Sequence, residues 1–341
     1  MTTAKPRSGA LVAVRNTVLI AVLAALVAGL TACGSGPSQA NSAVIVDGRS
    51  VSVDEVQNLL DKIVREQPAA RPLAQQRKLD LVAREAVSQL IQHELLVEAA
   101  REENISVKRE DVAQAMAQDP FKEELPTDGS VPPDALASQL VFRARDLRDT
   151  VTDQVLLAQL ADKYFDKLQV TMDYTTVVSD NPSAKPESMR EQAEAKAREF
   201  AADPDRAADV IAKEQEAGQD AQEGAQFPAV QSAALAATAM FGSEPGTVVA
   251  FEPSAEQALW VVGLIRQRDT DATVDTSQAP QVSATELVAV GLRMLQPYAE
   301  QAEIQVSPRY GVWDMAAMGV APSEGETEGL VLPPAGDDSQ Q

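Results

Sequence analysis

The chain has 341 residues, with 51 acidic against 29 basic side chains, a formal net charge of −22, one cysteine and one histidine. Such a balance excludes nucleic acid as a partner, because binding phosphates by counterion release needs clustered Lys and Arg, and a single histidine excludes a multi-histidine metal site. No cofactor is expected, and a composition 45% apolar but only 4% aromatic, rich in Ala, favours closely packed helices.

Lys5, Arg7 and Arg15 precede an apolar run from Thr17 to Leu30 that ends in the small pair Thr31-Ala32. A basic start, an apolar centre and small residues at the end form a secretory signal. The run is short for a spanning helix, which needs about 20 apolar residues. Cys33 follows directly, and Leu30-Thr31-Ala32-Cys33 resembles the lipobox of bacterial lipoproteins. The resemblance implies that residues 1–32 are a lipoprotein signal peptide, that cleavage falls before Cys33, and that its thiol and new amine are acylated, palmitate being one such chain. Two acyl chains anchor stably where one is marginal. The expected location is therefore the cell membrane, lipid-anchored, on the extracytoplasmic face.

Residues 33–42 are a small polar tether. Ala43 to Val46 reads as a strand running into an Asp47-Gly48 turn, and Ser52 with Glu55 has capping-box spacing ahead of a helix that repeats apolar residues from Val53 to Val64. Pro68 and Pro72 end it. From Leu73 to Asn104 no Gly or Pro intervenes, which predicts one helix roughly 45 Å long. A short helix is predicted over 111–117. A Pro-rich stretch follows to Pro133, then one long helix over 134–169, with Arg143, Arg145, Arg148 and Lys163 opposite Asp146, Asp149 and Asp153 as a solvated face. At Val170 the period changes to two. Strands are predicted over 170–179, 248–251 and 258–265, with helices over 187–201 and 206–215. A polar linker spans 270–281, a helix 283–303 and a strand 304–306. Pairing Val44–Val46 with Ile304–Val306 would satisfy two strands too short to stand alone. The stretch 315–341 reads as a disordered acidic tail.

Three stretches resemble the SurA/PrsA-type extracytoplasmic chaperones: Val46-Asp47-Gly48 with Val51-Ser52; Leu90 to Ala100 with Asn104-Ile105-Ser106-Val107 and Asp111-Val112; and Glu303 to Gly311. The resemblance implies an α+β, mainly helical fold: a discontinuous long-helix chaperone domain formed by residues 43–169 and 282–314, with a parvulin-like α/β domain inserted at 170–269 and protruding. Active parvulins carry a histidine in the first strand and another in the last. Here Asp173 to Val178 and Leu259 to Gly263 contain none, and Glu216 to Gly224 offers only Asp220 as the intervening acid. Ala239-Met240-Phe241 and Gly246-Thr247-Val248 keep the family's rhythm, so the insert is similar to a degenerate parvulin domain.

His93 lies mid-helix with no pairing motif and reads as structural or surface, and Glu94, Glu98, Glu102 and Glu103 read as a solvated ladder rather than a cation site. Met116, Phe121, Leu125, Val141 and Phe142 place large apolar groups beside the Pro-rich loop, as client-binding candidates whose simpler reading is core packing. The expected function is a membrane-anchored holdase or foldase for unfolded exported polypeptides, without catalytic residues and without prolyl isomerase activity. An active peptidyl-prolyl isomerase is the first alternative, and an adaptor or solute-binding lipoprotein the second.

Overall fold

A computed structural model of the chain describes Met1 and residues 41–118, 121–178, 186–254, 258–277 and 279–334. The signal peptide, Cys33 and nearly all of the tether lie outside the described residues. The described residues from 41 to 334 belong to one compact unit.

Strands β1 (Ser42–Val46) and β2 (Arg49–Ser52) form a hairpin whose two turn residues, Asp47 and Gly48, have φ of 48° and 77°. Positive φ at both central positions matches the twist of the strands, and Asp-Gly tolerates it. The predicted partner of β1 is present: β7 (Ile304–Val306) pairs with it antiparallel, Val44 opposite Val306, in a three-stranded sheet of order β2-β1-β7.

Helix α1 (Val53–Glu66) starts at Ser52, whose hydroxyl accepts from the Glu55 amide at 3.1 Å. The expected helix over 73–104 is two helices, α2 (Ala70–Gln75) and α3 (Leu79–Glu102). Arg77 between them takes φ of 58°, a left-handed turn that ends α2 although neither Gly nor Pro marks it. Pro72 lies in the first turn of α2 rather than ending α1, since that turn needs no amide from it. After α4 (Arg109–Ala117), the expected helix over 134–169 also divides, into α5 (Pro133–Ala144) and α6 (Leu147–Tyr164). Asp146 is the cause: its carboxylate accepts from the Arg148 and Asp149 amides, so it caps a new helix.

The α/β part comprises β3 (Gln169–Val178), α7 (Pro186–Ala202), α8 (Ala207–Glu216), β4 (Ala221–Pro228), the short helices α9 (Ala233–Ala236) and α10 (Ala239–Gly242), β5 (Val248–Phe251) and β6 (Leu259–Asp269). Strand β4 has no sequence-based prediction, because its Gln, Glu and Gly give no apolar alternation. Sheet residues alternate between two buried clusters. Val248, Ala250, Trp260, Val262 and Leu264 pack with Met189, Phe200 and Ile211 of α7 and α8. Val249, Phe251 and Ile265 join the same core as Ile91, Leu95 and Leu140 of the helical part. Far from protruding, the sheet shares its second face with the helices.

The segment after the linker folds back over everything before it. The expected single helix over 283–303 is α11 (Ala284–Arg293) and α12 (Gln296–Gln301), the latter opening with Pro297 in its first turn. Ser283 and Glu286 make a complete capping box on α11. Arg293, 5% exposed, donates to the carbonyls of Ala237, Met315 and Ala316 and to Gln296 Oε1, and burial lowers its pKa to about 10. The disordered tail expected over 315–341 is not observed in its described part. Strands β8 (Val312–Asp314) and β9 (Gly319–Ala321) form a hairpin, and β10 (Gly329–Leu332) pairs with β5. The larger sheet thus has order β10-β5-β6-β3-β4. Leu330 and Leu332 pack against the cluster beneath α7, and this apolar triplet with Val331 holds a segment that its acidic neighbours disguise. Residues 335–341 lie outside the described residues.

Candidate functional site

An apolar concavity lies where α3, α5, α6 and α11 meet the C-terminal hairpin. It encloses about 570 Å³, within the ~300–1,000 Å³ typical of pockets that bury a small molecule or a few side chains. Leu81 of α3, Phe142 of α5, Leu157 of α6, Val288 and Leu292 of α11 and Val320 of β9 supply its apolar lining. Each is placed by packing on another side of its element. Helix α3 turns Val82, Ala86, Ile91 and Leu95 to the core and so presents Leu81 and Ser88 to the groove. The hairpin is held over α3 by two bonds: Gln92 Nε2 donates to the Met318 carbonyl at 2.8 Å, and the Val320 amide donates to Ser88 Oγ at 2.8 Å.

The five client-binding candidates do not form one surface. Val141 is fully buried in the core. Phe142 lines the groove. Phe121 and Leu125 line a separate cavity of about 430 Å³ with Gln67, Pro68 and Arg143. Met116 is half-buried on α4 and lines neither cavity. Arg143, expected on a solvated face, anchors the Pro-rich loop instead: its guanidinium lies 5.5 Å from the Phe121 ring centroid and donates to the Phe121 and Glu123 carbonyls. The groove residues that sequence reasoning missed, Leu157, Val288, Leu292 and Val320, had only helical periodicity or a short β-branched run as a signal. Nothing local shows that they meet.

His93 has a partner. Its Nδ1 lies 2.8 Å from Asp153 Oδ1, and Asp153 Oδ2 accepts from Arg145 at 2.7 Å. Asp153 and Arg145 side chains are each 9% exposed, so this part of the expected solvated face is a buried pair joining α3 to α6. The Asp153 hydrogen bond raises the His93 pKa. The glutamate ladder divides similarly. Glu94 pairs with Arg49, while Glu103 accepts from Lys163, Tyr164 and Tyr298, and these bonds hold its carboxyl below the usual range although burial opposes them. Among the described residues no cluster of His, Cys, Asp or Glu is arranged to hold a metal ion.

In the α/β part, β3 and β6 lie side by side, with Thr175 opposite Val262 and Thr176 opposite Val261. Both threonines are buried, and Thr176 donates its amide and hydroxyl to the Asp220 carbonyl. Asp220 Oδ1 accepts from Tyr174. Asp173, also buried, holds Arg266 at 2.5 Å and the Gly224 amide at 2.7 Å, which ties β3 to β6 and β4.

Comparison with known families returns a match over residues 7–161 to the SurA-like N-terminal domain. The chain carries a SurA-like N-terminal domain. Within the described residues this domain comprises β1, β2 and α1 to most of α6, and the match ends inside α6 at residue 161. This match shows a SurA-like N-terminal domain, which supports a relationship to the SurA/PrsA-type chaperones and suggests a chaperone-like role. No curated protein matches the chain. The groove, by contrast, has one wall from the SurA-like helices and one from residues 285–328, beyond the matched region.

Proposed function

We propose that this protein is a membrane-anchored extracytoplasmic chaperone that holds unfolded exported polypeptides in the groove between α3, α5, α11 and the C-terminal hairpin, without prolyl isomerase activity. The observation that carries the reading is the groove itself, an apolar concavity built on a SurA-like domain. Apolar concave surface with a polar rim is what an unfolded chain's exposed side chains seek. The acidic exterior, at a formal net charge of −22, favours solubility of the loaded complex. Acylation of Cys33 would supply the anchor.

The absence of isomerase chemistry is supported by the insert. Where the resemblance expects histidines around the prolyl amide, Thr175 and Thr176 are buried, and His93 belongs to the α3–α6 contact. Two assays on one preparation test the proposal. Suppression of client aggregation should occur and should weaken in Phe142→Asp, which places a charge in the groove. Proline-limited refolding, which takes tens to hundreds of seconds uncatalysed, should not accelerate. Aggregation unchanged by the protein would overturn the chaperone reading. A tenfold faster refolding abolished by Thr175→Ala with Thr176→Ala would establish the isomerase alternative.

A further inference from the structure

Four carboxylates border the groove: Asp134 at the start of α5, Asp314 of β8, and Glu326 and Glu328 before β10. They are close enough to influence one another. The Glu328 amide donates to Asp314 Oδ2 at 2.5 Å, and the charges of Asp314 and Asp134 both push the Glu328 pKa up, after desolvation. Burial likewise raises Asp314, against the amides of Glu328, Ala317 and Ala316 that pull it down. Among the described residues no Lys or Arg forms an ion pair with any of the four. Arg293 acts on Asp314 and Glu328 from a distance, but its donors go to three carbonyls and Gln296. Arg84, the one base lining the groove, is paired with Asp80 at 3.0 Å. Asp134, Glu326 and Glu328 are exposed. An apolar trough is thus bordered by acid groups that form no ion pair among the described residues.

We propose that the groove selects apolar polypeptide segments that carry Lys or Arg, the cation lying against Asp134, Asp314, Glu326 and Glu328 while apolar side chains fill the space beside Phe142, Leu157 and Val288. The inference rests on the groove being the client site, and charge complementarity supplies the choice of occupant. A cationic side chain has an apolar stem and a charged tip, so it spans such a border without burying its charge. Segments flanked by Asp or Glu meet repulsion from the same border.

The test uses the full chain and three synthetic peptides with one apolar centre, flanked by Lys, Gln or Glu, titrated by fluorescence anisotropy. The Lys-flanked peptide should bind about tenfold tighter than the Glu-flanked one at ~0.01 M ionic strength, and the gap should close near ~1 M as the Debye length falls from ~30 Å to ~3 Å. Asp134→Asn with Glu328→Gln should shrink the gap between the Lys- and Glu-flanked peptides below about threefold. A control with the same charge change elsewhere, Glu110→Gln with Glu199→Gln, should keep the gap. Equal reduction in both double variants would overturn the proposal, since the preference would then belong to the acidic chain as a whole. Equal affinity for all three peptides would overturn the selectivity and leave the client groove standing. Failure of every peptide to bind would overturn both.

Discussion

Gly291 is the position where helix α11 lies directly on helix α6, and replacing it with alanine discriminates sharply between local and tertiary control. A Cβ built there would stand 2.0 Å from the Leu157 carbonyl oxygen and 2.6 Å from its carbon. The obstacle is backbone inside a helix, so no rotamer change relieves it. Normal contact near 3.5 Å requires α11 to retreat by more than ~1 Å, and a gap of that size forfeits about half of each dispersion well along the interface. Overpacking of this kind costs about 1–3 kcal/mol, and the upper end applies to a rigid obstacle. Helix propensity works the other way, since Gly→Ala in an exposed helix gains about 1 kcal/mol. The net expectation for Gly291→Ala is a loss of about 2 kcal/mol, or ~4 °C in Tm for a chain of this size. Gly325→Ala, where nothing lies within 4 Å of the added carbon, is the matched control and should change stability little. Thermal melts followed by circular dichroism at equal protein concentration read both. A Gly291→Ala protein as stable as the parent would refute the close approach of α11 to α6. It would also remove the basis for the groove, because Leu157, Val288 and Leu292 line it from these two helices.

Asp153→Asn should destabilise by about 3–5 kcal/mol, the usual cost of leaving one member of a buried pair without its partner, and urea unfolding of this variant against Arg145→Met separates charge from packing. Because Asp153 raises the folded-state pKa of His93 above its unfolded value, the stabilisation is fully present below the unfolded pKa near ~6.5 and is lost as pH rises through the folded value. The Tm advantage of the parent over His93→Gln should therefore be greatest in acid and vanish in alkali; an advantage that grows with pH would contradict the pairing. Ending the chain at Pro322 removes β10, bares the β5 edge and should raise aggregation and lower Tm, since an unpaired strand edge recruits other chains. Cys33→Ser should abolish lipid labelling and release the protein from membranes, as fractionation would show.

What the sequence makes legible is whatever local chemistry decides. The Asp47-Gly48 turn, the Ser52 and Ser283 caps and the alternation in β5 and β6 are readable because turn residues, caps and period-two burial act within a few positions. The two overlong helix predictions fail at Arg77 and Asp146 for a different reason. Arg77 has no sequence preference for its left-handed φ and adopts it so that α2 and α3 can both pack, and Asp146 in a charged run looks like surface until its side chain caps α6. The buried Asp153 pair is likewise invisible, because His93 and Arg145 are 52 positions apart, one mid-helix and the other in the α5–α6 junction. Strand β4, half of whose residues are Gln, Glu or Gly, is held by its neighbour β3 and not by its own composition.

The candidate site is the least local feature of all, and this bears on what the family match can mean. The match ends at residue 161, within α6, and contains Leu81, Phe142 and Leu157 but none of the opposing wall. That wall comes from α11 and from a C-terminal stretch whose sequence, rich in Gly, Pro and acid, reads as disordered. It is ordered by four separate attachments to elements made earlier: β7 on β1, Gly291 against Leu157, β9 on α3 through Ser88 and Gln92, and β10 on β5. None of these short pieces would persist alone, since two-stranded and three-residue elements are marginal in water. Each is stabilised by a partner distant in the chain, so the groove closes only after loop closures that are entropically slow. A SurA-like domain severed after α6 would keep many of its core residues and Asp134, and would lose the opposing wall with the other three border acids, Asp314, Glu326 and Glu328. The proposed client groove is therefore a property of the returning C-terminal segment as much as of the SurA-like domain on which it folds.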